Sequence, residues 1–231
     1  MIKRTNEITT QYINKRLKSR ILLILLPFII GIMIFTLIYG FSPLNITNDR
    51  WILSGYDETD IIQHYAGWLA YRNSEWKMPL GMADNMSVGT GTIISFTDSI
   101  PIVAIICKAF RRFLPDTFQY FGIYTLLCYI LQSIAAFKII HLKTQNIVYS
   151  TIGIFLFGFS PILMERAFRH TALGSQWIIL FAIYLYLKHF KDANYGGGYI
   201  LGLFAFRNIG NRHTSIFPSN GSGFCFPECD R

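Results

Sequence analysis

Four runs of apolar residues, each without a single charge, divide the chain and set its plan. The first, ILLILLPFIIGIMIFTLIYGF from Ile21 to Phe41, rises about 1.5 Å per residue as a helix and so reaches across a hydrocarbon core of about 30 Å. A cleavable leader would have a shorter apolar region ending in a small-residue site, and this run has neither property. Three further runs, Phe118 to Phe137, Ile147 to Met164 and Thr171 to Leu187, predict spans at 118–140, 147–164 and 171–187. Ser160-Pro161 inside the third predicts a kink, because proline removes a helical N–H. Ile100 to Phe110 is apolar but too short to cross, which predicts an interfacial or re-entrant helix.

Composition follows from this plan: 52% of residues are hydrophobic and 15% charged. The net charge of +8 is not a nucleic-acid signature, since six basic residues (Lys3, Arg4, Lys15, Arg16, Lys18 and Arg20) precede the first apolar run. Residues 1–20 therefore read as a basic cytoplasmic arm, and residues 42–117 as a large outer loop. The link His141 to Asn146, flanked by Lys138 and Lys143, returns to the cytoplasmic side, as do Lys188 and Lys191. Residues 188–231 hold a short apolar run, Tyr199 to Phe206, and then a stretch rich in Gly, Ser, Asn and Pro with no period. That stretch is expected to be the irregular tail of a truncated or frameshifted product. Cys107 and Cys128 read as small hydrophobes, and Cys225 with Cys229 lacks the second ligand pair of a zinc site.

The outer loop carries the candidate chemistry. In GYDETDIIQHYAGWLAYRNSEW, helical spacing places Asp57, Asp60 and His64 on one water-facing side, beside Glu58, with Ile61, Tyr65 and Leu69 elsewhere. Such a face suits a general base for an acceptor hydroxyl, or carboxylates Asp57, Glu58 and Asp60 that hold a divalent cation such as Mg or Mn; a plain solvated helix face is the alternative. Glu165, Arg166, Arg169 and His170 fall in the outer link between the third and fourth spans, where the arginines suit either phosphate oxygens or lipid headgroups. Asp98 and Ser99 read as the N-cap of the short helix that follows, with catalysis by Asp98 as the alternative. Trp51, Trp68, Trp76 and Trp177 read as an interfacial aromatic belt, Trp68 or Trp76 being the alternative platform for a sugar.

These residues lie in blocks, DIIQHYAGW, YRNSEWKMPLG, GTIISFTDSIPIVAIICKAF, FQYFGIYTLLCYILQ and RAFRHTALGSQW, whose order resembles a family of bacterial multi-pass membrane proteins similar to GT-C type glycosyltransferases. The resemblance covers roughly Trp51 to Leu187 and implies an all-α multi-span bundle in the bacterial inner membrane, whose first outer loop bears interfacial helices and the active site. It implies a polyprenyl-phosphate sugar donor, an envelope glycan or other outer-face acceptor, and Asp60 as the acid, with Asp57 or Glu58 second. His64 would then orient the acid or the acceptor, and Arg166, Arg169 and His170 would face the donor phosphate. Gln176 departs from the resemblance, which leads to a second His there. A transporter or flippase component, or a scaffold without activity, is the competing expectation; a transporter places ionisable groups at mid-membrane, and the four apolar runs hold none.

Overall fold

The computed structural model describes residues 23–54, 60–86 and 91–191. The basic arm, Asp57, Glu58 and the tail from residue 192, with the expectations placed on them, lie outside the described residues. The described chain is mainly helical: α1 (Leu23–Tyr39), α2 (Arg50–Leu53), α3 (Asp60–Asn73), α4 (Pro101–Ala109), α5 (Phe121–Thr144), α6 (Ile147–Gly158), α7 (Pro161–Arg169) and α8 (Trp177–Lys191). A two-stranded antiparallel ribbon, β1 (Met82–Ala83) with β2 (Thr92–Ile93), sits between α3 and α4.

Two helical segments are long and apolar enough to cross a membrane, Phe121–Thr144 and Thr171–His189, and a third crossing results if α6 and α7 count as one. α1 is apolar but shorter, and it stops at Gly40, whose φ of 69° is the left-handed conformation that commonly ends a helix. One side of α1 is buried through Ile30, Ile34 and Phe35, while Ile29 and Leu37 on the other side are exposed. The buried side meets α5 at Gly31, where an added Cβ would stand 2.8 Å from the Ile130 Cα, so the two backbones touch. Close approach through a small residue is how helices gain contact where hydrocarbon surrounds them.

The boundaries differ from those predicted in two informative places. The second span runs on to Thr144, so the expected link from His141 shrinks to Gln145 and Asn146: Gln145 is left-handed at φ 52°, and the Asn146 side chain caps α6 by accepting from the Val148 N–H at 2.8 Å. The third span is broken instead of kinked. α6 ends at Gly158, Pro161 opens α7 at a position where its missing N–H costs nothing, and the two axes diverge by 46°. Glu165, Arg166 and Arg169 consequently belong to α7 and not to an open link.

The segment expected as an outer loop is a packed cap. α3 buries Ile61, His64, Tyr65, Trp68, Tyr71 and Arg72, so it is not the water-facing helix its acidic start suggested. Trp68 is wholly buried and donates from Nε1 to the Phe118 carbonyl at 3.0 Å, which removes it from both the belt and the sugar platform. Arg72 donates to the carbonyls of Pro115 (2.6 Å), Leu114 (2.7 Å), Asp116 and Arg111, binding the connection before α5 to α3. Trp76 is exposed, and buried Lys108 stands 4.9 Å from its ring and 3.9 Å from that of Tyr71, and donates to Ser74 Oγ at 2.9 Å. Burial pulls the Lys108 ammonium down to about 8, with Arg111 adding to the effect and Asp84 opposing it.

Candidate functional site

Asp98 does not cap α4. Ile100 occupies the cap position with no side-chain hydrogen bond, and both Asp98 (φ 53°) and Ile100 (φ 50°) are left-handed. For residues with a Cβ each such conformation costs roughly 1–3 kcal/mol, and surrounding contacts must hold it. Those contacts are visible. Ser99 Oγ donates to the His64 carbonyl at 2.6 Å, Thr97 Oγ1 donates to the Ile94 carbonyl at 2.8 Å, and the Tyr120 hydroxyl donates to the Ser99 carbonyl. Gly67 on α3 makes room, since a Cβ there would overlap Thr97 Oγ1 and stand 2.8 Å from Ser99 Oγ.

The strained turn sets the Asp98 carboxylate beside His64, with Oδ2 3.7 Å from Nε2, too long for a hydrogen bond. His64 is buried on α3, and its Nδ1 lies 3.0 Å from Thr171 Oγ1 on the short 3-10 helix Thr171–Gly174. A neutral ring with its hydrogen on Nε2 faces the Asp98 carboxylate with a donor and accepts from Thr171 at Nδ1. Burial drives the imidazole pKa down to about 4; the Asp60 charge opposes the shift and His170 adds to it. Burial pushes the Asp98 carboxyl above its usual range, a hydrogen bond from the Ala172 backbone and the neighbouring His170 oppose this, and Asp60 adds to it. Asp98 keeps an outlet to solvent, its side chain being 31% exposed.

The site therefore joins Asp60, His64 and His170 to Asp98, whose catalytic role was the alternative to a cap, and to Thr171, which the sequence did not single out. Arg169 is held elsewhere, its guanidinium 2.5 Å from Glu165 in an exposed pair one helical turn apart. Arg166 lines a separate cleft next to Gln132 and Gln176. The expected basic cluster is thus divided, because Glu165 holds Arg169 while Arg166 lines the cleft. Among the described residues no group of three or more His, Cys, Asp or Glu side chains is placed to hold a metal ion, and Asp57 and Glu58 are not among them.

His64 gives a pH dependence of stability. Its folded pKa lies below the unfolded value of 6.5, so the unfolded chain binds the proton first. The contribution is complete above about pH 6.5 and is lost as pH falls toward 4, up to roughly 3 kcal/mol. Thermal unfolding in detergent should show a lower midpoint at pH 4.5 than at pH 7, and His64→Gln should flatten that difference. Asp98 works in the opposite sense, because its raised pKa favours the folded state in acid. Asp98→Asn should therefore deepen the acid loss.

A protein-family model described as a domain of unknown function (DUF6311) matches residues 28–207, a stretch that takes in α3, the Asp98 turn and Thr171. No curated protein and no solved structure matches the chain.

Proposed function

The chain belongs to the DUF6311 family, and from that premise we propose that it is a GT-C-like membrane glycosyltransferase, which moves a sugar from a lipid-linked phosphate to an acceptor on the outer face. The observation that carries this reading is the Asp98 carboxylate, strained, half-buried and raised in pKa beside a neutral buried His64, at one end of the apolar helices. A carboxylate of raised basicity with an outlet to solvent suits removal of a proton from an acceptor hydroxyl as it attacks the sugar carbon. The leaving phosphate is a good leaving group and needs charge stabilisation more than a proton, a role for which His170, next to Asp98, is the candidate. Asp60, the first choice from the sequence, shares the site electrostatically with His64 and Asp98 and becomes the second carboxylate in this reading. The apolar helices keep the donor's lipid in the bilayer while its sugar reaches that polar end.

The test is sugar transfer by the purified chain in lipid nanodiscs, supplied with polyprenyl-phosphate sugars and a hydroxyl acceptor. Asp98→Asn should reduce transfer by about 100-fold or more, the usual yield of a positioned base. Asp60→Asn should reduce it by a smaller factor, since its charge acts on Asp98 and on the bound acceptor. Transfer unchanged in both variants would reject the assignment.

A further inference from the structure

Gln132 stands about 16 Å along α5 from Phe121, in the middle of a helix long and apolar enough to cross a membrane. It is 2% exposed, and its Oε1 has no hydrogen-bond partner among the described residues. Amide groups in such a setting are rarely left unmatched, because neither water nor hydrocarbon tails replace the missing donor. Gln132 lines a cleft of about 400 Å³ between α5, the α6–α7 break and α8. Ser160, Arg166 and Gln176 supply the rest of its polar lining, and Phe157 and Leu180 its apolar walls. Arg166 takes part in no ion pair among the described residues, unlike its neighbour Arg169. Ile162 and Ile179, also at the cleft, are exposed to the surroundings at 60% and 46%.

One uncompensated cation, two neutral amides and a hydroxyl, set among apolar side chains open to the surroundings, select an amphiphile of a particular kind. Its headgroup carries one net negative charge for Arg166 and a hydroxyl donor for the Gln132 oxygen, which the amide turns from its enclosed position toward the cleft on binding, and its chains leave sideways past Ile162 and Ile179. We propose that this cleft binds a phosphatidylglycerol-type lipid: a phosphodiester whose headgroup bears free hydroxyls. The site is distinct from the His64–Asp98 cluster and does not depend on the transfer reaction. Phosphatidylcholine offers the same phosphate without net charge or donor and serves as the matched control.

The experiment is thermal unfolding of the full chain, delipidated in detergent, titrated with phosphatidylglycerol, phosphatidylcholine or polyprenyl phosphate. Phosphatidylglycerol should raise the midpoint at concentrations at least tenfold below those needed for phosphatidylcholine. Gln132→Leu should leave the lipid-free midpoint unchanged or higher, while weakening phosphatidylglycerol about tenfold and leaving phosphatidylcholine unaltered. Arg166→Gln should weaken both phosphates. Equal shifts by the two phospholipids, an unaltered phosphatidylglycerol response in Gln132→Leu, or tighter binding of polyprenyl phosphate than of phosphatidylglycerol would each overturn the proposal. None of these readouts involves sugar transfer, so failure here is separable from failure of the enzymatic assignment.

Discussion

Gly67→Ala is expected to destabilise the chain by about 1–3 kcal/mol, the range for a methyl forced into a filled space, and to disable the site as well. The new Cβ would need the room of Thr97 Oγ1 and Cβ, and neither can withdraw cheaply. The Thr97 and Ser99 hydroxyl oxygens stand 2.6 Å apart and both reach backbone carbonyls, so the displaced turn carries Asp98 with it. Gly174→Ala is the control, since nothing lies within 4 Å of a Cβ built there. Thermal unfolding in detergent should separate the two variants clearly. If the midpoint of Gly67→Ala matched that of Gly174→Ala, the tight contact between α3 and the Asp98 turn would be wrong.

Arg72→Met is expected to cost about 1.5–3 kcal/mol, the range for hydrogen bonds made by a charged donor. The buried guanidinium serves four part-buried carbonyls between Arg111 and Asp116, and among the described residues no carboxylate pairs with it. Methionine retains most of the stem's packing, so the loss measures the hydrogen bonds and not a cavity. Arg169→Met removes an arginine of the same charge from an exposed pair with Glu165, where the expected change is within about 1 kcal/mol. A comparison of the two unfolding midpoints decides whether burial or charge governs.

Local signals in the chain carried the helices well. The apolar runs became α1, α5, α6 and α8, since uncharged composition and length act within one element, and Pro161 marked the break because it cannot continue a helix. What could not be read was whatever depends on distant partners. Nothing near His64 indicates that Thr171, 107 positions later, will bond its ring, and the burial that makes the ring neutral follows from that packing. Asp98 before Ser99 and a proline carries the usual signs of a cap, and only the left-handed turn, imposed by Gly67 and Tyr120, redirects it. Arg72 and Trp68 look like surface and interface residues until their acceptors in residues 111–118 are known. Glu165 and Arg169 were expected in an open link, and their spacing of four residues specifies a pair only once α7 makes it a helix face.

The break before Pro161 also has a mechanical side. Turned through 46°, the nine residues of α7 carry their far end about 10 Å sideways, close to the full width of a helix. That offset brings Phe168 against the rings of Tyr39 and Trp51, and lets Thr125 donate to the Ala167 carbonyl. The bend begins at Ser160, in the wall of the Gln132 cleft, and ends at His170 and Thr171. Its angle therefore fixes where the Thr171 hydroxyl meets the His64 ring.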